Sequence, residues 1–119
     1  MNVSTPLPQQ DDLSAVFALF SQPTRLNILL VIGQERACVC HLESMLGLRQ
    51  AYISQQLMML RKAGLVVTER IGRHIFYRLA DPRWLDLIGQ AAALLNVPLP
   101  HFDLPEIQGC EYVPAKPTE

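Results

Sequence analysis

Cysteine, aromatic residues and long apolar stretches are all scarce in this 119-residue chain. Three cysteines, Cys38, Cys40 and Cys110, are too few and odd in number for the disulfide framework of a small secreted domain. The core must therefore be held by burial, and with half of the residues apolar the chain has enough for one domain. No apolar run approaches the ~20 residues that cross a bilayer, so no membrane partner is expected. The stretch Met1 to Asp12 has neither the basic start nor the apolar middle of a secretory signal. The expected compartment is the cytoplasm, where thiols stay reduced and closely spaced cysteines point to metal or redox chemistry. Cys38 or Cys40 with His41 could offer a nucleophile and a base, but no orienting third group, oxyanion pocket or glycine-rich phosphate loop accompanies them. The chain does not read as an enzyme, and neither an organic cofactor nor a small organic substrate is expected.

Net charge is also nearly absent, at −1, but its distribution is uneven. Between Gly47 and Ala80 lie six basic residues (Arg49, Arg61, Lys62, Arg70, Arg73 and Arg78) against the single acid Glu69. The rest of the chain carries four basic and ten acidic residues. Such asymmetry predicts one surface that faces a polyanion on an otherwise acidic body.

What is present is a sequence of short amphipathic segments. Leu13, Val16, Phe17 and Phe20 recur at helical spacing. Pro23 suits the first turn of a second helix, apolar nearly all round from Leu26 to Ile32, with Gly33 as its expected stop. A third helix is expected to begin near Cys38–Cys40, run through Leu42, Met45 and Leu46, and end at Gly47 in the left-handed conformation. A fourth starts at Arg49 or Gln50, packs Ile53, Leu57 and Leu60 inward, and stops at Gly64. Two helices joined by a tight glycine turn predict a helix-turn-helix. Leu65–Arg70 and His74–Leu79, rich in β-branched and aromatic residues around Gly72, predict a β-hairpin. Asp81-Pro82 opens a last helix with Trp84, Leu85, Ile88 and Leu95 on its apolar face. Five prolines in the 23 residues from Val97 onward exclude further helix and predict an extended or disordered tail. The expected organisation is a flexible arm over 1–11, a mainly α domain with a β-hairpin over 12–96, and a tail over 97–119 that carries Cys110.

Helix, turn, helix and basic hairpin form the winged-helix plan, whose partner is double-stranded DNA. A recognition helix needs polar groups on its outer face, and Gln50, Tyr52, Ser54, Gln55 and Gln56 supply them. Glutamine can pair bidentately with adenine, and serine can reach bases or phosphate. Arg49, Arg70 and Arg73 are expected to hold phosphates, with His74 assisting at the wing.

Several runs resemble the ArsR/SmtB family of metal-responsive repressors. Gln22-Pro23-Thr24-Arg25-Leu26 is similar to its D-P-T-R-L segment, and Cys38-Val39-Cys40-His41-Leu42 to its C-V-C-D-L box. Leu46 to Leu57 resembles its recognition segment, followed by Leu60–Val66 and the wing Arg70-Ile71-Gly72-Arg73. The resemblance spans about Leu13 to Leu95. It implies a homodimer built from the first and last helices, bound to operator DNA until an inducer arrives. Gln22 in the aspartate position predicts a small loss of capping, and Arg49 replaces a common serine cap. Gln55 and Gln56 replace the usual histidines, so the operator sequence does not carry over.

The resemblance implies an inducer held by thiolates, As(III) or Sb(III) foremost and Cd(II) or Pb(II) otherwise. Soft ions suit sulfur ligands in any case. Cysteines two apart on a regular helix point about 200° from each other, so Cys38 and Cys40 are expected to share an ion only if the first turn unwinds. The third cysteine of the arsenic-sensing box is absent, its place taken by Glu43. Cys110 is the remaining sulfur for a third bond, and His41 could donate nitrogen or simply be a surface histidine. A zinc site on the last helix is not expected, since Asp86 to Asn96 holds no histidine. Met58 and Met59 read as core and dimer packing. The rival to ion sensing is a thiol redox repressor. A Cys38–Cys40 disulfide is disfavoured by its small, strained ring, whereas pairing with Cys110 is open.

Replacing Arg73 by alanine is expected to weaken binding to all duplexes alike and lower the slope of log affinity against log salt by about one, as loss of a phosphate contact does. Titrations on two unrelated duplexes across a salt series check this.

Overall fold

The computed structural model describes residues 8–105. The chain runs α1 (Pro8–Phe20), α2 (Pro23–Gln34), β1 (Ala37–Cys38), α3 (Val39–Leu46), α4 (Gln50–Lys62), β2 (Val66–Ile71), β3 (His74–Leu79) and α5 (Arg83–Leu94). This is the expected winged helix-turn-helix, and α1 already begins at Pro8, inside the segment expected to be a free arm.

The centre of the fold is α2, whose Ile28, Leu29, Leu30, Val31 and Ile32 are all buried. Around them pack Leu42 of α3, Ile53, Leu57 and Leu60 of α4, and Val66 and Leu79 of the wing. Gly33 does not stop the helix. It lies one residue inside the end of α2, where a Cβ would meet Leu79 Cδ1 at 3.1 Å and Leu85 Cδ1 at 3.2 Å. Its smallness serves close packing of α2 on β3 and α5, and the helix ends instead where Glu35 turns to an extended conformation.

Gly47 ends α3 as expected, at φ 66°, with its N–H donating to the Glu43 carbonyl. Arg49 caps α4 by position only, with no side-chain hydrogen bond to the helix. The expected hairpin is present, β2 against β3 from Val66↔Leu79 to Ile71↔His74. It gains a third strand that the sequence reading did not anticipate: β1 pairs antiparallel with β3, Ala37 opposite Tyr77 and Cys38 opposite Phe76, giving the order β1-β3-β2.

At the other end, α5 packs on α1 through an edge-to-face contact of Trp84 with Phe20, 5.8 Å between centroids. Leu13 and Phe17 of α1 and Leu87 and Leu94 of α5 remain exposed. An open apolar groove of about 540 Å³ lies among Phe17, Phe20, Leu30, Ile88, Ala91 and Leu95. Beyond α5 the chain is irregular but docked. The Gln34 amide donates to the Pro100 carbonyl (2.8 Å) and accepts from the Phe102 N–H (3.0 Å), and Phe102 and Leu104 pack against the core. The expected tail is thus extended and held down as far as Pro105.

Because only glycine takes a positive φ without steric cost, Gly47→Ala is expected to destabilise the protein by about 1 kcal/mol. A urea melt reads this as a lower midpoint with an unchanged slope.

Candidate sulfur site and nucleic-acid interface

Cys38 occupies the point where β1 becomes α3. Its backbone is extended (φ −88°, ψ 171°), so it is the N-cap of α3 rather than a helical residue, and Cys40 lies in the first turn. This corrects the expectation that the two sulfurs must diverge. The 200° separation applies to two residues of one regular helix, whereas here one residue is still on the strand. The side chains converge with α3 intact, and Cys38 and Cys40 are joined by a disulfide with Cα atoms 5.3 Å apart. The expectation that such a bond is disfavoured is overturned for the same reason: the bend at the strand-to-helix junction brings the two Cα atoms into the range that a disulfide spans.

His41 joins them. It is fully buried, not a surface histidine. The Cys38 N–H donates to His41 Nδ1 at 3.2 Å, and the same nitrogen lies 3.2 Å from Cys38 Sγ. The histidine thereby satisfies one of the backbone donors left free at a helix start. Burial pushes the imidazole below its ordinary pKa, an effect partly offset by the nearby Pro105 backbone carbonyl. A neutral ring that accepts at Nδ1 carries its proton on Nε2, and among the described residues Nε2 is buried without a hydrogen bond of good geometry, the Pro105 backbone being the polar group near the ring. The ring also lies 6.0 Å from that of Phe76, the residue paired with Cys38 across the sheet.

The ligand atoms of Cys38, Cys40 and His41 all fall within 4.8 Å of one another. Two sulfurs and an imidazole nitrogen are a donor set for soft and borderline ions, and the nitrogen beside the sulfurs is Nδ1, whose lone pair the Cys38 N–H occupies in the disulfide form. The residues fit such an ion once the disulfide is reduced to two thiols. Cys110, the third sulfur of the sequence reading, lies outside the described residues.

The residues expected to meet DNA separate into groups. Arg49, Gln50 and Gln55 are exposed on α4, and Ser54 is half-buried. Arg70 and Arg73 are exposed at the tip of the wing, with His74 half-buried beside them. Gln56 does not join the outward face: it is 7% exposed, and its Oε1 accepts from Arg25 Nη1 at 3.1 Å. Tyr52 is half-buried, its hydroxyl accepting from Gln22 Nε2 at 3.2 Å. Met58 and Met59 are exposed in the single chain, at 56% and 44%, so they are not part of its core. Gln22 does not weaken the start of α2, because its Oε1 accepts the Arg25 N–H at 2.8 Å. The sequence reading missed Arg25, although a lone cation at the edge of an otherwise apolar helix was a signal that it had polar work to do.

Residues 22–68, which run from the cap of α2 through the helix-turn-helix into the wing, match the model of the bacterial regulatory protein, arsR family. The chain is 35% identical over 97 residues to the biofilm growth-associated repressor of Agrobacterium fabrum, covering 78% of this chain and 83% of that protein. The chain belongs to the arsR family of bacterial regulatory proteins. It is a DNA-binding transcriptional regulator of winged helix-turn-helix type. A transcriptional repressor SmtB homolog of Synechocystis sp. is 30% identical over 86 residues, with 72% of this chain covered. The arsenic resistance transcriptional regulator ArsR1 of Pseudomonas putida is 39% identical over 74 residues, with 60% covered. The chain spans 65% and 58% of the lengths of these two relatives. Among solved structures, Rv0081 of Mycobacterium tuberculosis superposes with a TM-score of 0.71 at 30% identity, over 76% of this chain and 92% of that one.

His41→Ala removes the acceptor of the buried Cys38 N–H and is expected to cost about 2 kcal/mol. His41→Asn, which keeps an acceptor near the cap, should recover part of the loss. Urea midpoints of the reduced proteins measure both.

Proposed function

We propose that the protein is a homodimeric repressor that leaves its operator when a thiophilic ion binds Cys38 and Cys40, with As(III) or Sb(III) the foremost inducers and Cd(II) or Pb(II) next. The observation that carries this reading is the convergence of Cys38, Cys40 and His41 within 4.8 Å at the root of both DNA-facing elements. Cys38 belongs to the wing sheet through its pairing with Phe76, and Cys40 belongs to α3, the helix that packs on α4. An ion held by both sulfurs would link the wing to the helix-turn-helix without unwinding α3, so inducer and DNA would compete for the relative placement of the two. The name of the Pseudomonas putida relative supports arsenic among the candidates.

Pyramidal arsenic takes three thiolates, and Cys110 is the third. The chain passes beside His41 at Pro105, and five further residues reach at most about 17 Å. That length suffices for Cys110 to reach the pair within its own subunit. His41 Nδ1 is the alternative third donor, for a borderline ion. The exposed apolar residues of α1 and α5 supply the dimer face, and a second copy would cover the groove between them. DNA is met by Gln50, Ser54 and Gln55 at base edges and by Arg49, Arg70 and Arg73, aided by His74, at phosphates. Among the described residues no single helix is long and apolar enough to cross a membrane, and the cytoplasm, which keeps the sulfurs reduced, is the working compartment.

The bonded sulfurs favour one other reading, release by oxidation. A hydroperoxide would take two electrons from the Cys38 and Cys40 thiols, leaving the disulfide, an alcohol and water. One titration separates the two. Under full reduction, arsenite is expected to release the wild type from its operator, while Cys38→Ser and Cys40→Ser bind DNA normally and are not released. Cys110→Ser should raise the arsenite concentration needed and leave cadmium release less affected. Release by peroxide alone, with every ion silent, replaces the ion reading by the redox one.

A further inference from the structure

Two side chains at the corner between α1 and α2 reach across to the recognition helix. Arg25, half-buried near the start of α2, spreads its guanidinium over three elements. Nε donates to the Leu19 carbonyl at 2.9 Å and Nη2 to the Ala18 carbonyl at 3.5 Å, both in the last turn of α1. Nη1 donates to Gln56 Oε1 on α4, with Met59 Sδ at 3.9 Å. The last carbonyls of a helix lack intrahelical donors and carry the negative end of its dipole, so a cation is doubly suited there. Beside it, Gln22 uses both ends of its amide. Oε1 accepts the Arg25 N–H and so caps α2, while Nε2 donates to the Tyr52 hydroxyl on α4. An aspartate at this position could cap but could not donate to the tyrosine.

We propose that Arg25 and Gln22 form a brace that fixes the angle of α4 against the corner of α1 and α2, with Gln56 and Tyr52 as its anchor points and not as readers of bases. The partners lie about 30 residues apart in sequence and join three helices through two separate hydrogen-bonded links. Gln56 sits with Ile53, Leu57 and Leu60 on the inner face of α4, so its amide is spent inside the protein. The base-reading set then contracts to Gln50, Ser54 and Gln55. In the dimer proposed above, α1 faces the second copy, so the brace also sets the distance between the two recognition helices; this last step rests on that dimer.

The test uses duplexes selected from a random pool by the reduced wild-type protein, both as paired half-sites and as a single half-site. Arg25→Lys keeps the charge but loses the planar fork, and Gln56→Leu fills the same buried space without an acceptor. Each is expected to bind the selected duplex about tenfold more weakly with an unchanged salt slope and an unchanged base preference. The double variant should be no weaker than either single one, because both remove one link. On paired half-sites the variants should tolerate spacers altered by one base pair that the wild type rejects. A changed base preference in Gln56→Leu would return that residue to the reading face and overturn the brace. So would wild-type affinity in both variants, or losses that add in the double variant. The single half-site cycle decides the brace even for a monomer, whereas unaltered spacer tolerance alone removes only its extension to the dimer. Should Gln56→Leu fail to fold, Gln56→Met, which keeps the length of the side chain without the amide acceptor, carries the same cycle with Arg25→Lys, whereas Gln22→Asp breaks the separate link to Tyr52 and its loss is expected to add to theirs.

Discussion

The structure turns on the change of direction at Cys38. That residue ends a strand, caps a helix and carries one of two adjacent sulfurs, and its backbone N–H is satisfied by the histidine three positions on. Each role requires the others. Were Cys38 helical, the sulfurs would diverge and β1 would lose its pairing with β3; were the strand longer, Cys40 would leave the first turn of α3. Burial of His41 holds the junction's hydrogen bond in place, because an imidazole with no access to water favours the neutral form that accepts from the cap. The sulfur pair is accordingly built into the scaffold of the DNA-binding unit and not appended to it.

This placement alters how an effector can act. The sequence alone suggests a helix that must be spoiled for two sulfurs to meet. The observed junction suggests instead that the sulfurs meet at a joint between two rigid parts, the wing sheet and the helix-turn-helix. Changes at a joint reorient its parts without melting them, in keeping with the discrete rearrangements by which packed elements switch. The Cys38–Cys40 bond and an ion shared between the same atoms are mutually exclusive states of that joint, since each uses the sulfur electrons that the other needs.

Much of the fold was legible in the sequence because its signals are local. Gly47 and Gly64 mark helix ends by their need for positive φ, and both adopt it; the apolar periodicity of α2 and α4 gives their inward faces. The strand β1 was not legible, since two residues have no periodicity and their pairing with Ala37–Cys38 partners Tyr77 and Phe76 is non-local. The chemistry of Gln56 points outward, but its position does not: Ile53, Gln56, Leu57 and Leu60 recur at i, i+3, i+4 and i+7, and the stripe places it inside. Gln22 reads as a weaker cap than aspartate, but its amide has two ends, and the second holds Tyr52. At the sulfur site the residue types were legible and their geometry was not, because the departure from helical spacing occurs within a single residue. Met58 and Met59 lie outside the core of the single chain, off the stripe of Ile53, Leu57 and Leu60.

The third strand has a mechanical consequence for the wing. A hairpin joined only at its ends can flap, but here its base is clamped where Phe76 lies opposite Cys38. From that fulcrum to the turn at Gly72 and Arg73 is a lever arm of about 12 Å at the rise of an extended strand, so a tilt of roughly five degrees at the base sweeps the tip by about 1 Å. A guanidinium displaced that far from a phosphate has lost its hydrogen bond. Adjustments at Cys38 too small to disturb the core would then be enough to loosen the grip on a duplex.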